Sequence, residues 1–176
     1  MNKKQKGMKQ IVILLIIMTF SGCKSTMENQ ASLKANSNAA LDAWHKAAAD
    51  ADYNAYFNLM TDDAVFIGTD ATENWSKAAF QTYAKPHFDK GKAWSFTTLE
   101  RHLHFDATGK IAWFDELLNT QMKICRGSGV LVKIGKEWKI QHYVLSMTIP
   151  NDNSNEVIKV KSASEDAMIK TLKSKQ

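Results

Sequence analysis

From Trp94 to Thr148 the chain reads as four consecutive β segments, and that run limits the fold more than any other feature. The segments, roughly Trp94–Phe105, Lys110–Lys123, Arg126–Ile134 and Glu137–Thr148, are rich in β-branched and aromatic residues. Turn-forming strings separate them, Asp106-Ala107-Thr108-Gly109 and Ile134-Gly135-Lys136, which predicts antiparallel hairpins. Helical patterns come before them. Leu41, Trp44 and Ala48 fall at i, i+3 and i+7 in an alanine-rich stretch, and Tyr53, Tyr56, Phe57 and Met60 mark a second, shorter helix. Asp62-Asp63 then opens a brief strand over Ala64 to Gly68. Ser76 is placed to cap a third helix through Phe80 that should stop before Pro86. Helices gathered ahead of an antiparallel meander predict an α+β domain with the helices on one face of a curved sheet.

The other end of the chain says where such a domain would reside. Lys3, Lys4, Lys6 and Lys9 precede the apolar run Ile11 to Met18, which ends in Phe20-Ser21-Gly22-Cys23. The run is far shorter than the roughly 20 apolar residues needed to cross a bilayer, so it reads as a secretory leader. Its end resembles the lipobox of a bacterial lipoprotein signal, with Cys23 as the residue to be lipidated and Phe20 where that box usually holds an aliphatic residue. The expectation is a lipid-anchored envelope protein, with the outer membrane favoured because Lys24 rather than aspartate follows the cysteine. Residues 1–22 would be the leader, 23–34 a polar tether, 35–150 the domain and 151–176 a polar tail with a short helix near Glu165–Leu172. The formal charge of +5 then misleads: losing four lysines from 23 basic residues leaves 19 against 18 acidic ones. No basic stripe points to nucleic acid. Cys125 reads as a buried strand residue.

The order of elements, and local strings within it, resembles the SnoaL-like branch of the nuclear transport factor 2-like superfamily, which has the ketosteroid isomerase and polyketide cyclase fold. The strings are Asp62-Asp63-Ala64-Val65-Phe66-Ile67-Gly68-Thr69, Glu73-Asn74-Trp75, Ala112-Trp113-Phe114-Asp115-Glu116, Arg126-Gly127-Ser128-Gly129-Val130-Leu131 and Trp138-Lys139-Ile140 leading into His142. The match spans roughly Ala35 to Asn151. It implies a cone-shaped α+β barrel around a cavity open at one end, with Glu73 and Trp75 near the mouth. The superfamily holds isomerases, dehydratases and cyclases beside members that only bind or scaffold, so fold alone does not decide function.

Strand parity supplies the candidate site residues. Trp138, Ile140, His142 and Val144 alternate on one face, which the apolar members mark as inward, so His142 is a candidate general acid or base. The competing reading is a core histidine. Trp113, Asp115 and Leu117 share one face of the preceding long strand and Phe114, Glu116 and Leu118 the other. One of Asp115 and Glu116 therefore points inward, and the companions do not say which. An inward carboxylate could move a proton beside a carbonyl, or it could pair with Arg101 or Arg126, the two arginines of the chain. Pairing is the favoured reading. Glu73, Trp75, Arg101, Trp113 and Arg126 form the candidate ligand-contacting set, with Glu73 at the N-terminus of the third helix as its bland alternative.

His102 and His104 alternate on a strand, but no third ligand follows at a metal-site spacing, and neither a metal nor a cofactor is expected. Gly127-Ser128-Gly129 lacks the strand–turn–helix setting of a nucleophile elbow. Two functions follow. The favoured one is a non-catalytic module that holds a small apolar molecule or dimerises through its sheet as a homodimer. The other is an isomerase, dehydratase or cyclase that uses a cavity carboxylate and His142.

Overall fold

Capping side chains set where the first helices begin. In the computed structural model, which describes residues 29–175, Asn29 accepts a bond from Ala31 N and starts helix α1, Gln30–Ala49. The helix thus takes in Gln30 to Lys34, which the sequence assigned to the tether; Cys23 and the leader lie outside the described residues. Leu33, Leu41, Trp44, His45 and Ala48 form its buried stripe. Asp52 caps α2, Tyr53–Asn58, and Ser76 caps α3, Lys77–Asp89. The expected stop before Pro86 does not occur. Proline inside a helix costs about 3 kcal/mol, yet Phe80, Ala84 and Phe88 stay on one buried stripe across it. Phe88 packs against Tyr53, Tyr56 and Trp94 at centroid distances of 5.6, 5.4 and 5.4 Å. Burying a phenylalanine contributes roughly 1.5–3 kcal/mol, and each ring pair about 0.5–1.5 more. The packing wins.

The described residues also form a six-stranded sheet in the order β2-β1-β6-β5-β4-β3, which stays open. Its strands are β1 Met60–Ile67, β2 Asn74–Ser76, β3 Thr97–Phe105, β4 Ile111–Thr120, β5 Lys123–Ile134 and β6 Glu137–Met147. The four-strand meander is antiparallel as expected. The sequence did not predict β2, nor the parallel pairing of β1 with β6 that joins the two halves. In the first meander turn the Asp106 carboxylate accepts from the Thr108 hydroxyl and from the amides of Ile111, Thr108 and Lys110. Those donors hold its pKa down at about 2.

Helices α1 to α3 cover one face of the sheet, where Ala112, Phe114 and Leu118 of β4 meet Trp44, Tyr56 and Phe80 in a single core. Cys125 is buried there. The far face stays open, with Ile111 and Trp113 about half exposed. Beyond a short 3-10 turn at Asn151–Asn153, helix α4 runs over Ser154–Lys173, longer than the sequence suggested. No residue of α4 is buried. Lysine, glutamate and alanine favour helix on their own, and Lys159–Glu156 and Lys161–Glu165 add pairs at the right spacing.

Candidate functional site

Parity along β4 settles the carboxylate question. Ala112, Phe114, Glu116, Leu118 and Thr120 face the helices, so Glu116 is the inward acid and is fully buried. Asp115 faces outward and meets His102 Nδ1 at 3.2 Å, drawing the His102 pKa upward. Glu116 stands opposite Arg101 on β3 and opposite Gly127 on β5. Its Oε2 accepts from Arg101 Nε at 2.9 Å and pairs with Nη2 at 2.8 Å. Its Oε1 accepts from Tyr143 Oη at 2.9 Å and from His45 Nε2 at 2.8 Å. Arg101 is fixed in turn by Asp42, Asn38 and Thr98.

Burial pushes the Glu116 carboxyl up, but His45 and then Arg101, through hydrogen bonds and charge, outweigh it and leave the pKa lowered. The group is therefore ionised, and an ionised carboxylate only accepts, so the imidazole must carry its proton on Nε2. Burial and the Glu116 charge raise the Tyr143 pKa, which keeps the phenol protonated and donating. A carboxylate has about four lone-pair sites. Among the described residues, four donor atoms already occupy those of Glu116.

Two glycines admit this arrangement. A Cβ on Gly127 would lie 2.2 Å from the Tyr143 hydroxyl and 3.0 Å from Glu116 Cγ. A Cβ on Gly129 would lie 2.3 Å from the His142 carbonyl. Glycine in a strand often marks such a close approach or a bulge. The bulge is present: Val130 pairs with His142 but Leu131 with Ile140, leaving Gln141 as an extra residue in β6. That residue reverses the parity. Trp138 and Ile140 face inward as expected, then Tyr143 and Leu145 do. His142 consequently turns to the far face beside Val144, and the inward placement expected for it is corrected. Tyr143 takes the position instead.

The other candidates divide between the two faces. Arg101 is inward, with a side chain only 6% exposed. Arg126 is exposed on the far face, and Trp113 is also there, stacked on His104. Glu73 and Trp75 line a cavity of about 180 Å³ at the rim of the sheet, together with Phe66, Phe80, Trp94 and Phe96. Ser76 caps α3 as expected, and Glu73 Oε2 accepts from Asp70 N at 3.2 Å.

This cavity and the Glu116 cluster are separate. Phe96 lies between them, lining the cavity and meeting the His45 ring edge-on at 6.1 Å. Phe66 does the same toward Tyr143, stacked at 5.7 Å. The sequence reading missed His45, and its parity put Tyr143 on the face opposite His142, away from the site. The signal for His45 was its place beside Trp44 in the apolar stripe of α1.

A model of the SnoaL-like domain matches residues 38–150. The chain belongs to that family. The SnoaL-like domain is similar in fold to a nuclear transport factor 2-like protein of unknown function from Pseudomonas putida, with 15% identity and a TM-score of 0.58 over 70% of this chain and 92% of that one. It is also similar to a provisionally assigned dehydratase of that superfamily from Streptomyces avermitilis (13% identity, TM-score 0.57, 68% and 98% covered). A provisionally assigned scytalone dehydratase from Novosphingobium aromaticivorans is another (9% identity, TM-score 0.58, 68% and 86% covered). At these identities the likeness carries fold alone. No curated protein matches the chain.

Proposed function

We propose that this chain is an envelope lipoprotein whose SnoaL-like domain binds a small, largely apolar molecule in the rim cavity and does no chemistry on it. The filled coordination of Glu116 carries this reading. A general base needs a free lone pair within reach of substrate, and this carboxylate has neither vacancy nor access. Trp44, Tyr56 and Tyr143 occupy the depth of the cone, where an isomerase or dehydratase would hold its substrate. What stays open is the aromatic rim. Apolar pockets with a few fixed polar groups are the usual form of a small-molecule site. The far face of the sheet, with Trp113 and Ile111 exposed, is where we place a second copy of the chain.

A screen of small aromatic and alkyl compounds by NMR should produce hits that move the indole signals of Trp75 and Trp94. Thr69→Trp, at the cavity rim, should block those hits while leaving the unfolding free energy within about 0.5 kcal/mol. A screen with no hits at those indoles would count against the binding reading. Cys23→Ser should abolish fatty-acid labelling and membrane retention; an unlabelled wild type would remove the anchor from the proposal.

A further inference from the structure

Within that binding reading, on which this step rests, we infer that the rim cavity selects an organic cation: a quaternary or protonated amine carried on a small apolar body. The first ground is charge. Glu73 is the one carboxylate among the cavity-lining residues, and no lysine, arginine or histidine lines the space with it. Glu73 has no ion-pair partner among the described residues, and the bond from Asp70 N leaves most of its accepting capacity unused. The lysines of α3 are committed elsewhere, Lys77 to Asp62 and the Met60 carbonyl and Lys85 to Asp89.

The second ground is that the carboxylate is held in place. A Cβ on Gly68 would lie 2.0 Å from Glu73 Oε2, and Gly68 itself lines the cavity. Its φ is not in the left-handed region, so the turn does not demand glycine for its conformation. The missing side chain makes room for the carboxylate. Backbone bonds from Gly68 N to the Glu73 carbonyl and from Glu73 N to the Asp70 carbonyl, both 2.9 Å, fix the turn that presents it.

The third ground is the aromatic lining. Phe66, Trp75, Phe80, Tyr83, Trp94 and Phe96 surround the space. Aromatic rings attract cations through their quadrupoles, tryptophan most strongly. An anionic ligand would meet the Glu73 charge with no basic side chain to offset it. The volume of about 180 Å³ falls below the roughly 300–1,000 Å³ usual for ligand pockets, so the ligand is a single ring or a short alkyl ammonium.

Three probes of similar shape test this on the full chain in detergent: benzyltrimethylammonium, its uncharged carbon isostere neopentylbenzene, and phenylacetate. Binding is read from the Trp75 and Trp94 indole signals. The cation should bind at least tenfold tighter than the isostere, and phenylacetate more weakly than either. Raising the ionic strength should weaken the cation alone. Glu73→Gln should bring cation and isostere within about threefold of each other, with the melting temperature reporting that the variant is folded. Equal or tighter binding of the isostere, or a salt-independent cation, would overturn the inference while the pocket reading stands. If none of the three moves either indole, the pocket reading fails and this inference fails with it.

Discussion

Glu116→Ala should lower the unfolding free energy by about 3–5 kcal/mol, because it leaves the Arg101 charge and the His45 and Tyr143 donors buried without their common acceptor. Breaking a buried pair from one side costs that much; replacing both sides with apolar groups often costs little. Glu116→Leu combined with Arg101→Met should therefore cost less than the two single changes added together. Urea unfolding at neutral pH measures each variant. The pH dependence has a definite sign. The folded pKa of Glu116 lies below its ordinary value of 4.5, so the unfolded chain binds more protons around that pH. Its stabilisation is fully present above about 4.5 and is lost as pH falls through the lowered folded value. Glu116→Gln should flatten the acid limb of the stability profile. A variant as acid-sensitive as the wild type would mean that Glu116 is not the group responsible.

Local pattern carried the fold a long way, and it failed at places with a physical cause. The β4 alternation of Ala112, Phe114, Glu116 and Leu118 runs without interruption, so parity alone narrowed the inward acid to two residues and the favoured pairing with an arginine to two more. In β6 the same reasoning gave a wrong face for His142. A single extra residue reverses everything after it, and β6 shows no irregularity in its own sequence at Gln141. The trace of the bulge is on the neighbouring strand, where Gly127 and Gly129 alternate on the inner face. The joining of β1 to β6 depends on residues some 75 positions apart, such as Phe66 with Tyr143, and no local window holds both. Helix α4 outruns the short helix expected near Glu165–Leu172 because it is held by propensity and surface pairs and buries no residue. Glu73 and Trp75 were placed at a cavity mouth by the family resemblance, not by the pattern around them.

Gly127→Ala should destabilise the inner face of the sheet by about 2–4 kcal/mol. Overpacking of a well-filled core costs about 1–3 kcal/mol on its own. Here the added carbon also has to displace the Tyr143 hydroxyl, which would sit 2.2 Å from it. That hydroxyl donates to a charged group, a bond worth about 1.5–3 kcal/mol, so steric strain and a lost bond arise from one substitution. The two effects can be separated. Tyr143→Phe removes the atom in conflict and the hydrogen bond together, leaving the ring in place. If the clash is what the alanine costs, adding Tyr143→Phe to Gly127→Ala should destabilise far less than it does in the wild type, since the bond is already lost. The rescue will be partial, because the ring carbon Cζ also lies within 2.8 Å of the new methyl. Strict additivity of the two substitutions in a thermodynamic cycle would show that the glycine serves some purpose other than admitting Tyr143 to Glu116. Strong coupling would instead tie the glycine pattern of β5 to the polar cluster that occupies the centre of the cone.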